Sequence, residues 1–500
     1  MQNLRELVVT KPKIAAVSAI IAYFCYKFFR QFLSPMRTIP GPIYSPLFPS
    51  FQAVAYLRKR KFFEYLDKLL NKYGKIFRFI GVAGESVVVT DAREAKRILT
   101  DTTEFTKMGL ATFRPLQLLD YALFVLPSDD LWKRHRKLLQ PAFGPTHLRH
   151  TAEVSRDTVL ELEAKISSKL SKEKQVRLNM HSVLSCTTLD IIGKVAFGHS
   201  MRAVETLDDR STGSWEDLDT ITTKLLPFRM SAPTILWKLL GIDNSNPEFS
   251  KAKQNVDKLL EDLSSERLEK IRNKELIQEK WDMDVLHRLL ISQNNGMMTK
   301  EEVFGELVGF FFAGHETTAN TLTFVVLELC KNPGIEKRLF EEVKSIDFAK
   351  DNLLEILPSL KFLDNIFKEA QRLHPVVPSL LRITTQDTTI MGHFVPRNTR
   401  VVVNIRGIHQ SSEYYSNPME YNPDRWDTPP VVGSFLPFGD GQRNCIGQKM
   451  AVIEAKVISP NLDYSDWIDS KIYFPIGSKS SSRSNLVHYL WTEIRNDGIH

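Results

Sequence analysis

The 500 residues, 43% apolar and 25% charged, are enough to bury a large core, and no low-complexity block divides them. The formal charge of +7 comes from 66 basic and 59 acidic residues mixed along the chain, without the basic face that nucleic-acid binding needs. The four cysteines, Cys25, Cys186, Cys330 and Cys445, are too far apart for a paired zinc site or a disulfide framework and indicate a reducing compartment.

Residues 14–26 form an apolar run flanked by Lys11, Lys13, Lys27 and Arg30. The run is short of the roughly 17 residues a span needs, but aromatics and snorkelling bases extend it. No small-residue cleavage site follows, so a retained anchor over residues 1–34 is expected rather than a signal peptide. Residues 35–50 carry Pro35, Pro40, Pro42, Pro46 and Pro49, a stiff non-helical linker. The globular domain is expected over residues 51–458.

Within it, residues 61–72 have helical periodicity, and residues 75–91 read as two strands joined at Ala83 and Gly84. Residues 225–240, with Phe228, Ile235, Leu236 and Trp237, are apolar enough for a peripheral membrane contact. Residues 246–273 form a charged amphipathic helix. Residues 298–331 form a longer one with an apolar middle, opened by Thr299 and Glu302 at capping-box spacing and closed by Asn332, Pro333 and Gly334. Short strands return over residues 380–405, so the class is mainly α with a small β-sheet region. Cys186 and Cys330 sit in apolar helical contexts and read as small core residues.

Near the carboxyl end stand Phe438, Gly439, Asp440, Gly441, Gln442, Arg443, Asn444, Cys445, Ile446 and Gly447. Two glycines permit a tight turn, and a thiolate at Cys445 would make a strong donor to a haem iron. Phe438, Gly441, Arg443, Cys445 and Gly447 resemble the haem-binding signature of the cytochrome P450 family. The resemblance implies that fold, with a long central helix over a haem b and the cysteine loop beneath it, Cys445 being the axial metal ligand. It implies that Phe438 shields the sulfur, Arg443 pairs with a propionate, and Gly447 lets helix 448–458 begin close to the macrocycle.

Other family motifs follow in order. Glu369 and Arg372 resemble the Glu-x-x-Arg pair, which Arg425 joins in a structural role; alone, such a pair is usually a solvated surface contact. Ala313, Gly314, His315, Glu316, Thr317 and Thr318 resemble the oxygen-activating stretch. There Glu316 and Thr317 are the expected catalytic proton relay, and Gly314 leaves room for oxygen. His315 lacks a partner at ligand spacing and reads as a pocket or core residue. Trp132 and Arg136 share a helix face and resemble the propionate-facing pair, with Arg382 a further propionate contact by family position.

Lys133, Arg134, Lys137 and Lys449 are expected around the proximal face, where an acidic redox partner docks. The resemblance implies NADPH-cytochrome P450 reductase as electron donor and cytochrome b5 as a second one. It also implies a place in the endoplasmic reticulum membrane with the catalytic domain in the cytosol. The texture resembles eukaryotic microsomal members, fungal ones among them. Residues 108–127 lie over the haem by family position and are largely apolar, which suits a fatty acid, sterol or xenobiotic.

After residue 458 the resemblance ends. Ser459 and Pro460 are expected to break the helix, and residues 459–500 form an atypical tail, as a truncated splice form, a retained intron or a faulty gene model would give. Three functions stay open: a reductase-fed monooxygenase, a haem-thiolate isomerase or dehydratase acting on peroxides, and a catalytically silent protein produced by the tail. The relay pair and the basic proximal helix favour the first.

Overall fold

The computed structural model describes residues 32–42, 62–81, 84–107, 121–172, 178–207, 246–273 and 283–461, with Ala22, Phe29 and Leu119 as single positions. The anchor run 14–26, most of the substrate segment 108–127, the stretch 225–240 and the tail beyond residue 461 lie outside them. No helix of the described residues is long and apolar enough to cross a membrane.

Helix α1 (Phe62–Tyr73) leads into β1 (Ile76–Gly81) and β2 (Gly84–Val89), as the alternation of Val87 and Val89 with Ser86 and Val88 suggests. After α2 (Ala92–Thr100) and β3 (Phe105–Thr106) the chain becomes helical: α3 (Asp130–Leu139), α4 (Pro145–Leu170), α5 (Met180–Phe197), α6 (Pro247–Arg272) and α7 (Val285–Asn294). Helix α8 (Lys300–Lys331) crosses the domain, its 32 residues being about 48 Å long at 1.5 Å per residue. Its start is the expected capping box: Thr299 Oγ1 accepts the Glu302 N–H at 3.2 Å and Glu302 accepts the Thr299 N–H at 2.9 Å. Its end is sharper than expected, because Pro333 opens α9 (Pro333–Val343) at once, a position where its missing N–H costs nothing.

Helix α10 (Lys361–Leu373) precedes β4 (Leu380–Thr384), β5 (Thr388–Ile390), β6 (His393–Val395), β7 (Arg400–Val403) and the short α11 (Ile405–His409). The main sheet has the order β1-β2-β7-β4-β3, with β2 and β7 parallel and the other pairs antiparallel. Val88 pairs with Val402 and Arg382 with Val401, so β2, β7 and β4 share one layer, while β5 and β6 pair in a separate two-stranded sheet.

One large core surrounds α8 and includes Leu184, Leu307, Leu322, Ile366 and Ile458, while a second lies on the sheet around Val87, Ile98 and Val401. Cys186 and Cys330 pack against the first as small half-buried residues. The start of the proline-rich linker is bound to the sheet rather than standing off it. Met36 and Ile39 are buried in the sheet core, and the Arg78 N–H donates to the Pro40 carbonyl at 2.7 Å.

Helix α12 (Gln448–Asn461) runs through Ser459 and Pro460, which were expected to break it. A proline inside a helix gives up one backbone hydrogen bond, to the residue four before it, and Ser459 Oγ donates to the Ala455 carbonyl at 2.7 Å within the same turn.

Candidate active site

The loop before α12 carries Cys445. Gly439 and Gly441 have φ of +71° and +70°, the left-handed region that favours glycine, and a Cβ on Gly441 would stand 2.8 Å from the Leu99 carbonyl oxygen. The turn they make lets the Cys445 N–H donate to the Phe438 carbonyl at 2.9 Å. Cys445 opens onto a cavity, so a water-sized sphere reaches it, yet it lies deep within the protein. Burial pushes its thiol pKa up, opposed by the Gly447 N–H and the Arg136 guanidinium. Phe438 packs against the main core beside it. Gly447 has ordinary space around it, with Phe143 3.6 Å from where a Cβ would stand.

Trp132, Arg136, Ala313, Arg443 and Cys445 line this one cavity, together with Glu306 and Lys107. Arg443 lies over the Trp132 ring at 4.4 Å, donates to the Leu126 carbonyl through Nη2, and leaves Nη1 buried without a partner. Arg136 is drawn toward the cysteine loop, donating to the Asn444 carbonyl at 3.0 Å and to Asn444 Oδ1 at 3.1 Å. Arg382 is buried on β4, with Nη1 bonded to the Leu381 carbonyl.

Burial and mutual repulsion weaken these cations. Burial first, then Arg382, lowers Arg443 to about 9, burial lowers Arg382 to about 10, and burial with Arg443 and Arg382 lowers Lys107 to about 7. Among the described residues, the carboxylate that offsets this cluster is Asp129, acting on Arg443. Buried cations in this state want an anionic partner. A ligand with two carboxylates, seated against the Cys445 thiol, meets that requirement, so these residues fit a haem and its propionates.

Helix α8 passes this cavity with Ala313 facing it. The space at Gly314 belongs to a neighbouring helix instead: a Cβ there would stand 2.7 Å from Ile192 Cγ1 on α5. Close helix packing therefore accounts for this glycine, which was expected to leave room for oxygen. Thr317 is half-buried, and its Oγ1 donates to the Ala313 carbonyl at 2.8 Å, the local bond that a helical threonine often makes. Glu316 is half-buried next to it. His315 bonds through Nδ1 to the Phe311 carbonyl at 2.7 Å on its own helix and is not among the residues that line the cavity.

Glu369, Arg372 and Arg425 meet behind the loop. Glu369 accepts from Arg372 at 2.8 and 2.9 Å, from Arg425 Nε at 2.9 Å and from Trp426 Nε1 at 3.0 Å. The Glu369 and Arg372 side chains have no exposure, so this is a buried pair rather than a surface one.

Three participants have no motif to announce them. Lys107 follows β3 and reaches the cavity from the sheet side. Glu306 accepts the Leu123 N–H at 3.0 Å and meets His135 Nδ1 at 2.7 Å, fastening α3, the helix of Trp132 and Arg136, to α8. A charged residue one and two turns inside an apolar helix was the available signal. On the outer face of α3, Lys133, Arg134 and Lys137 are exposed as expected, as is Lys449, and Arg134 also pairs with Glu302 at 2.7 Å.

A long helix passing a cavity that presents one thiol and a set of buried cations defines a protein built to hold an anionic cofactor against a cysteine. The chain belongs to the cytochrome P450 family, whose model matches residues 39–462. It is similar to cytochrome P450 4d2 of Drosophila melanogaster, 27% identical over 482 aligned residues that cover 90% of this chain and 91% of the relative. It is equally similar to cytochrome P450 3A29 of Sus scrofa, 27% identical with 90% and 89% covered. The family makes it an oxidoreductase of the monooxygenase class and implies a haem held by a cysteine thiolate.

Lys107 yields a test with opposite signs. Its pKa falls from 10.5 to about 7 in the folded site, so in that window the unfolded chain holds a proton that the fold releases. The resulting cost grows as pH drops from 10.5 toward 7. Lys107→Met is expected to raise the urea midpoint of the haem-free chain at pH 7 and to speed haem loss from the loaded one. A lower midpoint for the haem-free variant would show that Lys107 is not an uncompensated cation.

Proposed function

We propose that this chain is a membrane-bound monooxygenase that inserts one atom of dioxygen into an apolar organic substrate, a fatty acid, sterol or xenobiotic, with electrons from NADPH passed on by NADPH-cytochrome P450 reductase. The observation that carries the reading is the cavity beneath Ala313 that joins Cys445 to the buried cations, with Thr317 one helical turn beyond and bonded to the Ala313 carbonyl.

Cys445 would hold a haem b through its thiolate, and that haem would supply the activation of dioxygen. Arg443, Arg136, Arg382 and Lys107 would hold its propionates, with Trp132 beside them, and Phe438 would keep water from the sulfur. Arg136 also favours the thiolate over the thiol, opposing the rise that burial causes. Thr317 gives its own proton to the Ala313 carbonyl, which leaves the lone pairs of Oγ1 to order a water. Glu316 is adjacent in sequence and so about 100° away around the helix; a proton from its carboxyl reaches Oγ1 through such a water rather than directly. Glu369, Arg372 and Arg425 act structurally.

The exposed Lys133, Lys137 and Lys449 would meet the acidic surface of the reductase, or of cytochrome b5, and raise the rate of encounter. Residues 14–26 support an anchor in the endoplasmic reticulum membrane with the catalytic domain in the cytosol.

Thr317→Ala tests the monooxygenase reading against an isomerase or dehydratase. In a haem-replete protein the ratio of product to NADPH consumed is expected to fall several-fold, with the missing oxygen recovered as peroxide. Unchanged coupling would remove Thr317 from the mechanism.

A further inference from the structure

His409 is a fully buried side chain at the end of α11 that the haem site does not use directly. Its Nε2 accepts a hydrogen bond from the Leu436 N–H at 2.8 Å. A ring nitrogen that accepts carries no proton, so the neutral ring bears its proton on Nδ1. Burial, with the Arg372 guanidinium nearby, lowers its pKa to about 3, so the acceptor persists at any working pH.

The bonds on either side of this ring make it a link. Upstream, Arg372 Nη1 donates to the His409 carbonyl at 2.9 Å while Arg372 is gripped by Glu369. Downstream, the Leu436 carbonyl accepts the Gly439 N–H at 3.1 Å, and the Phe438 carbonyl accepts the Cys445 N–H at 2.9 Å. One residue therefore joins the buried Glu369–Arg372 pair, through its backbone carbonyl, to the turn that aims the cysteine, through its imidazole. Phe435, at 5.4 Å from the ring, packs the same segment in place.

We propose that His409 is a positioning residue for the thiolate: it fixes the backbone at Leu436, and through Phe438 the direction of Cys445. The inference rests on Cys445 being the haem ligand. His409 touches neither the cavity nor the sulfur, so its loss should leave the fold and alter the ligation.

The test compares His409→Gln with His409→Phe in the full-length, haem-loaded chain. The glutamine amide oxygen can stand where Nε2 stands and accept the Leu436 N–H, whereas phenylalanine fills the ring's space and leaves that N–H buried without a partner. The readout is the ferrous carbon monoxide spectrum per mole of haem, followed over time as the red-shifted thiolate band gives way to the band of the neutral thiol. Circular dichroism monitors the fold.

Conversion in the phenylalanine variant is expected to be about tenfold faster or more, the effect of one buried unsatisfied donor, with glutamine within about threefold of the parent. If the phenylalanine variant does not accumulate, His409→Asn, whose amide reaches only the Nδ1 position, takes its place against glutamine. A parental half-life in the phenylalanine variant, or equal half-lives for asparagine and glutamine, overturns the proposal. A parent chain with no thiolate band removes the reading of Cys445 and this inference with it, whereas a parental band with an unchanged variant overturns this inference alone.

Discussion

Cys445→Ser is expected to abolish the red-shifted Soret band of the ferrous carbon monoxide complex, because a hydroxyl is a far weaker donor than a thiolate. The cavity and its cations would survive the change, since the substitution is nearly isosteric and the loop is held by the Cys445 N–H rather than by the sulfur. Some haem is therefore expected to remain, bound through Arg443, Arg136, Arg382 and Lys107 but without the thiolate signature. The parental band in this variant would show that another residue is the ligand.

Glu369→Ala carries the second large effect, and it falls on the fold. It leaves Arg372 buried with no exposure and its guanidinium without a counter-charge, and it strips the acceptors of Arg425 Nε and Trp426 Nε1. Breaking one partner of a buried pair costs about 3–5 kcal/mol, against a stability of about 5–15 kcal/mol for an ordinary domain. The variant is expected to accumulate mainly as insoluble, haem-poor protein, with a greatly lowered denaturation midpoint in any soluble fraction. A midpoint within about 1 kcal/mol of the parent, the scale of a surface pair, would show that the pair is solvated.

The parts of the site legible in the sequence are those whose chemistry is written locally. The cysteine loop packs its phenylalanine, glycines, arginine and thiol into ten consecutive positions, so the turn and its ligand can be read without a fold. The capping box at Thr299 and the shared face of Trp132 and Arg136 are equally local. Glu369 and Arg372 were informative only through their order along the chain, since nothing about a Glu-x-x-Arg helix says that it is buried.

What the sequence hid depends on distant segments meeting. Lys107 is one lysine at the end of a two-residue strand, and it matters because Arg443, 336 positions later, lies close enough to lower its pKa. His409 looks like any histidine after an isoleucine until Leu436 is placed against it. Gly314 sits inside a recognisable motif, yet its open side is set by Ile192 on another helix. Arg134 is exposed, as its basic run suggested, but its partner Glu302 lies 168 positions away in the sequence. Pro460 was read from its usual effect in a helix interior, yet the helix runs through it to Asn461.

The central claim is that this chain holds a haem through the Cys445 thiolate. Its most direct test is the ferrous carbon monoxide difference spectrum of the full-length protein, with haem quantified in the same sample. One haem per chain and a dominant red-shifted thiolate Soret band are expected. Bound haem showing only the band of a neutral thiol or an imidazole, or no haem retained at all, would contradict it.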